Sequence, residues 1–133
     1  MNESQFKSDV RNRWIPTVWS GLIEDKTESG WPDVMFMSPV VTLVEFKWIP
    51  KTNKNGSFII PWKKTQPIFL LNYVQHGGNA GGLVRIDSPS GFKDYWISVE
   101  VSAEWLKHIR GTVDETSPYL TLVDKTNIRQ YIL

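Results

Sequence analysis

A chain of 133 residues that is 41% hydrophobic, with 7 Trp, 4 Tyr and 6 Phe, can bury a core of its own. That excludes disorder by composition and fits a single domain over residues 1–133. Cysteine is absent, which excludes disulfides and thiolate metal sites; no apolar run approaches the ~20 residues of a membrane span, and Met1-Asn2-Glu3-Ser4-Gln5 has no signal-peptide pattern, so a soluble cytoplasmic protein without a membrane partner is expected.

Phe6, Val10 and Trp14 recur at four-residue spacing and predict an amphipathic helix from Asn2 to about Trp14. Asn2 or Ser4 would cap it and Pro16 would stop it. The helix carries two acids, Glu3 and Asp9, of which a first-turn acid complements the helix dipole in any case. Thr17–Ile23 reads as a short strand and Glu24–Gly30 as a polar, acidic loop. Gly30 permits a tight approach of the chain, and Pro32 fixes the direction in which Asp33 is reached.

Two apolar runs, Val34–Met37 and Val40–Trp48, flank Ser38-Pro39 and predict a β-hairpin. Strand alternation puts Glu45 and Lys47 on one face and Val44, Phe46 and Trp48 on the other. A carboxylate and an ammonium then stand about 6–7 Å apart at their backbones, in an otherwise apolar strand. In-register pairing of the hairpin brings Asp33 towards Glu45. Two carboxylates beside a lysine suit a hard divalent cation and a charged oxygen substrate. Glu24 is an alternative ligand. The plainer alternative is a hairpin with one surface salt bridge, which would contribute little.

Charge is unevenly placed behind the net +1. From Phe46 to Ile86 there is no Asp or Glu, only the cations Lys47, Lys51, Lys54, Lys63, Lys64 and Arg85, a distribution that points to a polyanion. Lys51–Ser57 reads as a polar loop, and Phe58–Ile60 returns the chain to the core. Thr65 is expected to cap a helix that Gly77-Gly78 ends, with Pro67 in its first turn. Asn79–Ile86 is the next strand, completing a β-α-β unit with a parallel, right-handed crossover. Its glycine pairs match no phosphate-binding loop. Ser88–Gly91 is a turn, Tyr95–Val99 a strand at or near an edge, and Ala103–Ile109 a helix capped by Ser102. The tail from Tyr119 is apolar enough to dock. His76 reads as a helix-end residue and His108 as a surface residue.

Gly30-x-Pro32-Asp33, eleven intervening residues and then Glu45-Phe46-Lys47 together resemble the signature of the PD-(D/E)XK nucleases. In its short form the chain is similar to VRR-NUC and phage-type nucleases, and more distantly to archaeal Holliday-junction resolvases. The resemblance implies an α/β, restriction-endonuclease-like core: a mixed sheet of four or five strands flanked by the N-terminal helix and the Thr65–Gly77 helix. It implies a metal-dependent endonuclease acting on DNA, with branched or junction DNA among its substrates. Asp33, Glu45 and the Phe46 carbonyl would hold Mg²⁺ or Mn²⁺. One more acid would come from the N-terminal helix, Glu3 being the better match and Asp9 the next. Lys47 and Gln66 would act on the attacking water and the phosphate, and Lys51, Lys54, Lys63 and Lys64 would position the DNA backbone. A homodimer follows from the resolvase-like members, and the host cytoplasm would be the location of a phage-type protein. Two other readings stay open: a non-catalytic nucleic-acid-binding domain on the same fold, and a viral interaction protein that uses its aromatics for contacts.

Overall fold

In the computed structural model, which describes residues 2–24 and 29–132, the Asn2 side chain caps α1 (Glu3–Asp9) by accepting from the Gln5 N–H at 2.9 Å. Beyond Asp9 the helix widens into a π-helical turn over Val10–Trp14, where the Ile15 N–H bonds the Val10 carbonyl, and it stops before Pro16. Then β1 (Trp19–Leu22), β2 (Val34–Met37) and β3 (Val41–Ile49) make an antiparallel meander, with Val34 opposite Val44. Asp25 and Glu28, part of the expected acidic loop, lie outside the described residues.

The chain continues through β4 (Phe58–Ile59) and α2 (Gln66–Gln75) to β5 (Asn79–Ser88), which lies parallel to β3 from Thr42↔Asn79 to Ile49↔Ile86. The parallel pairing matches the expected β-α-β unit. Thr65 occupies the N-cap position of α2 without a side-chain cap bond; the turn before the helix is braced instead by Gln66, whose Oε1 accepts from the Lys63 N–H at 2.8 Å. From Gly91 the chain forms β6 (Gly91–Ile97), α3 (Ala103–Arg110), β7 (Thr112–Val113) and β8 (Leu120–Val123). Among the described residues the main sheet therefore has six strands in the order β1-β2-β3-β5-β6-β8, and β4 pairs with β7 apart from it. The fold is α/β with a mixed central sheet flanked by helices.

Three expectations change in detail. The sheet exceeds the four or five strands expected because the tail supplies β8, whose Leu120 and Val123 are buried. β6 begins at Gly91 rather than Tyr95, since a two-residue turn pairs Ser88 with Gly91 directly. His108 is half-buried, with Nε2 2.7 Å from the Ser117 Oγ and its ring edge-on to Tyr119.

Alternation in β3 divides the core. Leu43 and Ile49 join Ala80, Val84 and Ile86 under Leu70 of α2 and under Trp105 and Ile109 of α3. Val44 and Phe46, on the other face, pack with Phe6 and Val10 and with Ile128 and Ile132 of the tail. Glu45 and Lys47 thus occupy the face that α2 covers, while α1 packs on the opposite one. Gly82, level with Glu45 on β5, leaves room for Ile97, whose Cδ1 would lie 2.9 Å from an added Cβ, with the Trp62 ring next at 3.4 Å.

Candidate active site

The site lies where β2 stops short. β2 pairs with β3 only as far as Val34↔Val44, so among the described residues no strand lies beside this β3 edge from Glu45 onward. Asp33 fills the first position beyond, and its Oδ2 accepts the Phe46 N–H at 2.9 Å, the bond a longer β2 would have made. Because N–H and C=O of one strand residue point to the same side, the Phe46 carbonyl faces this gap as well. Glu3, at the start of α1, comes to the gap from the opposite face. One carboxylate oxygen each of Glu3, Asp33 and Glu45 lies within 4.8 Å of the others.

Two lysines stand among these acids. The Lys47 Nζ is 3.6 Å from Glu45 Oε1 and lies 5.9 Å from the centre of the Trp62 ring. Lys7, one helical turn after Glu3, places its Nζ 3.7 Å from both Glu3 and Asp33. Glu45 is only 1% exposed, and its buried Oε2 has no hydrogen-bond donor. Burial first, and then the adjacent Asp33, push the Glu45 carboxyl up to about 9, with Lys47 opposing. Glu3 is raised as well, by burial and then by the charge of Asp33. Two carboxyl groups this close can hydrogen-bond each other only by holding a proton between them, so the Oε2 needs either that proton or a cation. The donor set consists of oxygens, one of them buried and unmatched, a set that could hold a hard cation.

Of the residues expected at the site, Glu3, Asp33, Glu45 and Lys47 come together side chain to side chain, and Phe46 contributes its backbone. Asp9 does not join them. It lies 3.4 Å from Arg85, which also bonds Asp94 at 2.7 and 2.9 Å. Arg85 and Lys47 are thereby matched internally, which leaves Lys51, Lys54, Lys63 and Lys64 as the exposed cations of the Phe46–Ile86 segment. Lys63 and Lys64 directly follow Trp62, which covers Lys47. β3 ends at Ile49, four residues and about 13 Å of strand beyond Glu45, and Lys51 and Lys54 lie in the loop that follows it. Gln66 is buried beside the site with its Oε1 engaged by Lys63. Sequence reasoning missed Lys7; its four-residue spacing from Glu3 was the available signal.

No family model matches the chain, and no curated protein matches it. Among the described residues no helix is long and apolar enough to cross a membrane.

Proposed function

We propose that the chain is a metal-dependent endonuclease that hydrolyses phosphodiester bonds in DNA. The observation that carries this reading is the convergence of Glu3, Asp33 and Glu45 within 4.8 Å around a buried, donorless carboxylate oxygen, with the Lys47 ammonium 3.6 Å from Glu45. Glu3, Asp33, Glu45 and the Phe46 carbonyl would hold Mg²⁺ or Mn²⁺. When bound, such an ion lowers the pKa of water and offsets the charge that develops on phosphate oxygens.

The chain's own groups do the rest. Water gives up a proton to solvent as its oxygen bonds phosphorus, the P–O bond to the leaving alcohol breaks, and the leaving oxygen takes up a proton from solvent, so that one water is consumed and no net proton is lost. Lys47, fixed between Glu45 and Trp62, holds the attacking water by donating to it and places positive charge at a non-bridging oxygen. Asp33 is anchored on the Phe46 N–H through Oδ2, and its Oδ1 lies 3.7 Å from the Lys7 ammonium. Lys63 and Lys64 position the DNA backbone beside the site, a contribution that carries no sequence preference. Gln66 holds the turn that carries them.

The direct test is cleavage of linear, flap and four-way-junction DNA with Mg²⁺ or Mn²⁺, by the wild type and by Glu45→Gln. Cleavage that EDTA and Glu45→Gln both abolish is expected. Binding without cleavage in every case would favour a non-catalytic DNA-binding domain instead.

A further inference from the structure

We propose that the aromatic groove between Trp31 and α2 receives an unpaired nucleobase of the strand being cut. This deepens the nuclease reading above and rests on it. The groove has a volume of about 470 Å³. Its floor is Trp31, Phe69 and Tyr73: the Trp31 and Phe69 rings lie 4.6 Å apart, and the Phe69 and Tyr73 rings are stacked at 6.1 Å. Thr65, Asn72 and His76 give it a polar rim. Trp31 is 45% exposed, so part of its ring is open to a ligand.

Two separate segments tie the groove to the acids. Trp31 precedes Asp33 by two residues, at most about 7 Å of chain, and Thr65 follows Trp62, the cover of Lys47, by three, at most about 11 Å. Gly30 welds the two together. Its φ is +94°, and a Cβ there would overlap the Thr65 carbonyl. The exposed Lys63 and Lys64 lie on the second segment, between groove and site. An apolar slot with a polar rim, whose Thr65 directly follows two lysines in the chain and whose Trp31 is two residues from Asp33, matches a nucleotide: base in the slot, phosphate towards the lysines and the acids. A base presents its whole face only when it has left the duplex stack, so the slot selects unpaired DNA, such as a single-stranded flap or a frayed end.

Fluorescence anisotropy with a labelled single strand and with a duplex of the same sequence, in EDTA so that nothing is cut, tests this. The wild type should bind the single strand more tightly. Trp31→Ala should weaken single-strand binding about 10- to 100-fold, the scale of losing one stacking partner, and leave duplex binding nearly level. Trp31→Phe, which keeps an aromatic face, should retain most of the preference and controls for folding. The salt slope should not change, since no cation is removed. No preference in the wild type, or an equal loss on both DNAs in Trp31→Ala with Trp31→Phe intact, would overturn the proposal. The nuclease reading is judged separately by Mn²⁺-supported cleavage: absence of cleavage with the preference intact would reject the enzyme and keep the groove.

Discussion

Glu45 combines 1% exposure, an oxygen without a donor and a neighbouring carboxylate, and each of these favours its protonated form. The consequence for stability has a definite sign. An ordinary glutamate in the unfolded chain loses its proton near 4.5, whereas the folded one keeps it to about 9. Between those values the folded state binds more protons than the unfolded state, so stability falls as pH rises, by at most ~1.4 kcal/mol per pH unit. Denaturant melts of the metal-free protein across that window should show the decline, and Glu45→Gln should flatten it. A wild-type curve that is level or rising would contradict the account of this side chain. Lys47 makes a kinetic case at the same scale. If its charge acts mainly in the transition state, Lys47→Met should leave DNA affinity nearly unchanged while lowering the single-turnover rate about 10²- to 10³-fold. A full-rate Lys47→Met would reduce the residue to a partner of Glu45.

Among the elements, the segment Gly30–Asp33 decides the site's shape. It crosses the start of α2 at Gly30 and ends β2 early enough to leave the β3 edge open. Gly30→Ala meets both a positive φ and the Thr65 carbonyl, and it should cost at least about 2 kcal/mol in a denaturation experiment. A change within error would mean that the crossing is loose. Much of this was legible beforehand. Strand alternation alone assigns Glu45 and Lys47 to one face, the apolar runs mark the hairpin, and the Gly-Trp-Pro-Asp order marks a constrained approach. What stayed hidden depends on packing between distant elements. The choice of Glu3 over Asp9 follows from the rotation of α1 against Phe46, and Lys7 enters the site by that same rotation. Arg85 looked like part of a basic footprint until Asp94, opposite it on β6, and Asp9 are seen to enclose it. β8 could not be read because a strand of four residues has no partner in its own neighbourhood of the chain.

For the molecule as a whole, the surplus of positive charge narrows from six cations to four exposed lysines in two separate places. One pair directly follows Trp62, whose ring lies 5.9 Å from the Lys47 ammonium; the other lies in the loop after β3. If DNA crosses both, Lys51→Ala with Lys54→Ala and Lys63→Ala with Lys64→Ala should each lower the salt slope of binding by about one unit per lost phosphate contact. If it crosses the site alone, only the second pair should do so. The central claim is that the acid cluster is a metal centre, and calorimetric titration of the metal-free protein with Mn²⁺ at pH 7, in two buffers of different ionisation enthalpy, tests that most directly. A carboxyl pushed up to about 9 must give up its proton to become a ligand, so binding should release close to one proton per ion. Asp33→Ala and Glu45→Gln should abolish the heat. No binding, or binding that survives Glu45→Gln unchanged, would contradict the account.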